Sequence, residues 1–106
     1  MPVNRCRLNG KAIGSLDDLY DQLSIRLALP EHFGRNLDAL WDVLSTDVEG
    51  PFEIEWEYAD DSRKSMGKDF DRAVKLLQKL EKERADFKLK IKQYTQRQKR
   101  GGSSAA

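Results

Sequence analysis

Hydrophobic positions along this chain follow two periods. Residues 52–58, FEIEWEY, alternate throughout: Phe52, Ile54, Trp56 and Tyr58 point one way and Glu53, Glu55 and Glu57 the other. That pattern predicts a strand with at least one partly wet face. FKLKI at 87–91 alternates as a last strand. PVNRCRL at 2–8 alternates in part and runs into Asn9-Gly10, a turn signal. Elsewhere the period is helical. Leu16, Leu19, Tyr20, Leu23 and Leu27 share one face of a helix that Ser15 caps, with Asp18 at the third helical position as in a capping box. Pro30 and Gly34 make LPEHFG, 29–34, a loop. Asn36 can cap a second helix, whose apolar stripe is Leu37, Leu40, Trp41 and Leu44. Gly50-Pro51 closes that region. A longer helix is predicted from about 65 to 84, with Met66, Phe70, Ala73, Val74, Leu77 and Leu80 inward. Strands separated by helices predict an α/β domain: a small three-stranded, mainly parallel sheet packed with three or more helices.

Composition narrows the class. A chain of 106 residues, 39% hydrophobic and 35% charged, is one domain's worth of a compact, highly charged protein. No apolar run approaches the roughly 20 residues of a membrane helix. The opening MPVNRCRLNG lacks the basic start and apolar stretch of a secretory signal. Cys6 is a single cysteine, most simply a small buried residue, which excludes an internal disulfide and a multi-cysteine zinc site. These features point to the cytoplasm, with neither cofactor nor metal. Residues 1–92 are expected to form the domain and 93–106 a basic, disordered tail.

Net charge changes the picture once it is divided. The formal total is +1, yet from Glu31 to Asp61 ten acids face Arg35 alone, a net of −9, and from Arg63 to Arg100 the net is +9. Blocks of this kind set up local fields that steer charged partners whatever the overall balance. Within the acidic block, Asp38 and Asp42 lie one helical turn apart on a flank of the second helix's apolar stripe. Like charges at that spacing cost an isolated helix a few tenths of a kcal/mol, and the helix dipole offsets part of this for Asp38. With His32 and Phe33 in the preceding loop they make a compact acidic patch suited to a basic partner. Spacing alone leaves a plain solvated helix face open, with Trp41 in the core and His32 and Phe33 as loop packing.

The segment LPEHFGRNLDALWDVL, 29–44, resembles the signature of the barstar family of ribonuclease inhibitors. LNG at 8–10, SLDDLYDQL at 15–23 and EIEW at 53–56 extend the likeness over 3–91. The resemblance implies a barstar-like fold whose loop and second helix plug the active site of a secreted, barnase-type ribonuclease. It implies that Asp42 enters the nuclease site where an RNA phosphate would lie, and that Asp38 is a second acidic contact. His32, Phe33, Gly34 and Asn36 match loop or helix-start positions at that interface, and Trp41 a tryptophan beside them. The best-known member carries two tyrosines where this chain has His32 and Phe33, and a tryptophan at Asp47; its acidic contact on the later helix falls near Lys79 here, with Glu81 and Glu83 as nearby substitutes. The partner implied is a ribonuclease with a basic active site, bound one to one by a monomer.

Other functions fit less well. An enzyme is disfavoured by one histidine, one cysteine and no phosphate-cradling glycine loop or metal-ligand spacing. A basic RNA-binding module would use the C-terminal half, where Lys75, Lys79 and Lys82 recur, through salt-dependent phosphate contacts. Helix lysines more often form a solvated face, so nucleic acid is disfavoured as a partner. A barstar-fold protein with a non-nuclease partner stays open.

Overall fold

The computed structural model describes residues 4–93. Residues 1–3, which include the start of the expected first strand, and 94–106, which hold nearly all of the expected tail, lie outside the described residues. Strand β1 spans Asn4–Asn9 and leads through a short 3-10 turn, Gly10–Ala12, to helix α1, Leu16–Leu27. Helix α2 is Leu37–Asp42 and passes into a wider π-helical turn, Val43–Asp47. Strand β2, Phe52–Glu57, helix α3, Ala59–Met66, helix α4, Lys68–Glu83, and strand β3, Phe87–Ile91, complete the order. The sheet runs β1-β2-β3 and both pairings are parallel.

The expected α/β architecture is therefore present, with the central strand where the alternation put it. Cys6, Leu8, Phe52, Ile54, Trp56 and Phe87 face the helices and are buried. Across the other face the register aligns Arg5 with Glu53 and Lys88, and Arg7 with Glu55 and Lys90. This face departs from expectation. Glu53 and Glu55 are 6% and 4% exposed rather than wet. The flanking strands lay long basic side chains over them: Arg5 and Lys90 approach Glu53 Oε2 at 3.4 and 3.5 Å, and Lys92 reaches Glu55 at 3.3 Å. Glu53 Oε2 accepts no hydrogen bond among the described residues, so two cations hold it by charge alone.

Two further differences have local causes. The strand stops at Glu57, because Tyr58 takes a left-handed conformation, φ 54°, and turns the chain into α3. The helix expected from about 65 to 84 starts only at Lys68, and a separate helix, α3, that the pattern does not announce precedes it; the two are divided at Gly67, with φ 61° and ψ −128°. Side chains rarely adopt that conformation, so glycine permits the break. The first of the two, ADDSRKSM, turns Ala59, Ser62 and Met66 inward and has no large apolar stripe to announce it. Ser62 is buried within a polar chain: Trp56 Nε1 donates to Ser62 Oγ at 3.0 Å, and Ser62 Oγ donates to the Gly10 carbonyl at 2.9 Å. Gly10 is required there, since a Cβ would meet the carbonyl oxygens of Tyr58 and Glu57.

Candidate functional site: an acidic helix between two anchored ends

Helix α1 begins at the predicted Ser15 cap, with the return bond of the capping box shifted one residue toward the N-terminus. Ser15 Oγ accepts from the Asp18 N–H at 3.2 Å, and Asp18 Oδ2 in return accepts from the Gly14 N–H at 2.9 Å. It ends at Ala28 in a left-handed conformation, φ 52°. The loop then turns on itself, the Phe33 N–H donating to the Pro30 carbonyl at 3.0 Å. Phe33 is buried, its ring edge-on to Tyr20 at 5.5 Å and 83°. Glu31 and His32 are left exposed at the tip.

Arg35 pins the far side of this loop. Its backbone is left-handed, φ 52°, and its guanidinium donates to Asp21 at 2.9 Å and to Asp17 at 3.3 Å on α1. Two aspartates one turn apart on α1 thus form a socket, and the hydrogen bonds they accept raise the Arg35 pKa further above its already high value. Asn36 follows as the cap of α2: its Oδ1 accepts from the Ala39 N–H at 2.8 Å, and its Nδ2 donates to the Gly34 carbonyl at 3.3 Å.

The other end of α2 is held from the opposite direction. Over the π turn, Ser45 and Thr46 hydroxyls donate to the Trp41 and Asp42 carbonyls, each at 2.6 Å. π-Helical turns appear often at functional positions. Arg84, just past α4, donates through Nη1 to the Leu44 and Val48 carbonyls at 2.7 and 2.8 Å. Its Nε and Nη2 grip Asp86 at 2.9 and 2.8 Å.

Between these anchors α2 presents its acids. Asp38 and Asp42 are exposed and make no ion pair among the described residues. The stripe predicted for the core divides: Leu40 and Leu44 are fully buried, while Leu37 and Trp41 are half-buried. Leu37 and Asp38 form a ridge between two depressions. One, of about 730 Å³, lies toward α1 beside Ser15, Tyr20 and Arg35. The other, of about 460 Å³, runs between α2 and α4 beside Trp41, Asp42, Lys75, Leu76 and Lys79. The acidic field is narrower than the sequence block implied. Glu53 and Glu55 are neutralised on the sheet and Glu57, Asp60 and Asp61 follow them at the end of β2 and the start of α3, so five acids between residues 31 and 49 remain around α2, and Arg35 is already committed to α1.

The sequence model for "Barstar (barnase inhibitor)" matches residues 3–96. This chain belongs to the barstar family. It is also similar to a Bacillus subtilis (strain 168) protein named "Putative ribonuclease inhibitor YrdF", 32% identical over 85 residues, 79% of this chain and 93% of that one. Set against the barstar motif, the structure brings Asp38, Trp41 and Asp42 together along one depression and leaves His32 exposed in the loop that precedes α2. It gives three other candidates an internal role: Phe33 packs the loop onto α1, Asn36 caps α2, and Gly34 supplies a carbonyl to that cap. Sequence reasoning does not place Arg35 or Arg84 at this surface, whereas the resemblance puts Lys79 near the position of an acidic contact of the family. Arg35 has one legible signal, the Asp17/Asp21 spacing on α1; Arg84 follows a helix whose packing onto α2 no local pattern records. Among the described residues no three His, Cys, Asp or Glu side chains group as metal ligands, and no helix is long and apolar enough to cross a membrane.

Proposed function

We propose that this chain is a cytoplasmic inhibitor that binds a barnase-type or related toxin ribonuclease one to one and occludes its active site with α2 and the preceding loop. It does so by binding alone, without chemistry or cofactor of its own. The observation that carries this reading is the pair Asp38 and Asp42, exposed, unpaired among the described residues and mounted on a helix fixed at both ends. A ribonuclease must offer Arg, Lys and His to phosphate, and a rigid carboxylate pair can take those groups and exclude RNA. Rigidity matters because an ordered loop and helix lose less conformational freedom on binding. His32, Phe33, Gly34, Asn36 and Trp41 serve this surface, His32 and Trp41 by direct contact and the others by holding its shape.

The test is titration into a barnase-type ribonuclease while RNA cleavage is followed at moderate salt. Wild type is expected to abolish cleavage at a one-to-one ratio. Asp42→Ala should not, and Arg7→Ala, on the outer sheet face, should behave as wild type. Full inhibition by Asp42→Ala would move the interface away from α2.

A further inference from the structure

The depression between α2 and α4 has opposite charges on opposite walls. Asp38 and Asp42 line one side, Lys75 and Lys79 the other, and Leu37, Trp41 and Leu76, all half-buried, lie between them. Among the described residues none of these acids pairs with either lysine within 4.0 Å. Lys79 is not loose, however: its ammonium sits over the Trp41 ring, 5.2 Å from the centroid. A cation on an aromatic face gains about 0.5–1 kcal/mol at an exposed site. It is thereby held at the rim of the groove, one turn from Lys75, instead of swinging across to Asp42.

A partner surface that were basic throughout would meet Lys75 and Lys79 as soon as it met Asp42, since charges this close lie within the roughly 10 Å reach of unscreened repulsion. The electrostatic complement of the groove therefore changes sign across it. We propose that this groove takes a bulky apolar side chain from the rim of the nuclease's active site, flanked by a cation toward α2 and by a carboxylate toward α4. The inference rests on the inhibitor reading and refines it. Asp38 and Asp42 serve any nuclease with a basic centre, whereas Lys75 and Lys79 select those with an acidic residue beside that centre and repel the rest. Specificity of this kind comes from the repulsive element as much as from the attractive one.

The experiment measures affinity of the intact chain, by calorimetry, for a barnase-type ribonuclease that carries a carboxylate beside its basic active site. Wild type, Asp42→Ala, Lys79→Met, Lys79→Glu and Lys75→Glu/Lys79→Glu are compared, with circular dichroism confirming that each is folded. Reversing Lys79 should weaken binding about tenfold, and reversing both lysines more, since an attractive rim pair becomes a repulsive one. Lys79→Met, which keeps a long side chain against Trp41, should fall between. Exchanging the facing nuclease carboxylate for lysine should restore the affinity lost by Lys79→Glu. Unchanged or tighter binding by Lys79→Glu, with Asp42→Ala still weakened, would overturn this inference and leave the inhibitor reading standing. If wild type does not bind, or Asp42→Ala binds as wild type does, the inhibitor reading fails and this inference with it.

Discussion

Arg84 offers the sharpest test of how the site is built. Its side chain is 16% exposed, donates to the Leu44 and Val48 carbonyls, grips Asp86, and lies over the Phe52 ring at 5.0 Å from the centroid. Arg84→Met keeps most of the aliphatic packing and removes the guanidinium. Each hydrogen bond from a charged donor to a carbonyl contributes roughly 1.5 kcal/mol at the lower end of its range, so the two carbonyl bonds amount to about 3 kcal/mol. The Asp86 carboxylate is solvent-accessible, and its ion pair adds little to that sum. For a domain of this size the loss corresponds to a melting temperature lower by roughly 12–20 °C. The comparison is Arg72→Ala, whose i,i+3 pair with Asp69 is exposed on both sides and should cost no more than about 0.5 kcal/mol. Urea unfolding followed by tryptophan fluorescence and by circular dichroism gives both values. Arg84→Met within about 1 kcal/mol of Arg72→Ala would refute the assignment of Arg84 as the anchor of the π turn.

Acid should unfold the protein partly through the sheet's outer face. The hydrogen bond from Lys92, with further help from the charges of Lys92, Arg7 and Lys90, lowers the Glu55 pKa below the ordinary 4.5 against the opposing effect of burial. A carboxylate depressed on folding contributes stability above its unfolded pKa and loses it as pH falls through the folded one. Stability should therefore drop below pH 4.5 more steeply in wild type than in Glu55→Gln; matching pH profiles would contradict the pairing. Burial pushes the Cys6 thiol up to about 11, more than nearby Arg26 lowers it. A thiol reagent at pH 8 should modify it only as fast as the protein opens, and immediate modification of the native state would show the strand to be accessible.

Much of this fold is written in local pattern. The alternation of 52–57, the leucine spacing of α1 and the caps at Ser15 and Asn36 are each set by residues a few positions apart, and each appears where those residues put it. What escapes a reading of the sequence depends on neighbours distant along the chain. Glu53 and Glu55 read as a wet face because nothing in FEIEWEY says that flanking strands will bring Arg5, Lys90 and Lys92 over them. Helix α3 is hidden because its inward residues are small or polar, and Ser62 is intelligible only beside Trp56 and Gly10. At the candidate site the acids of α2 are legible by spacing. The sockets that hold the helix, Asp17 and Asp21 for Arg35 and two π-turn carbonyls for Arg84, are tertiary. So is the position of Lys79 over Trp41, which puts a basic wall beside an acidic one.

The most direct test of the central claim is a double-mutant cycle between Asp42 and an active-site arginine of a barnase-type ribonuclease, each changed to alanine, with affinities from calorimetry. If Asp42 occupies the phosphate position, Asp42→Ala alone should cost roughly 3–5 kcal/mol, at least about a hundredfold in affinity, because it leaves a buried cation unpaired. Much of that cost should vanish when the arginine is already absent. Strictly additive losses, or an Asp42→Ala variant that binds as wild type does, would place the nuclease elsewhere on this protein.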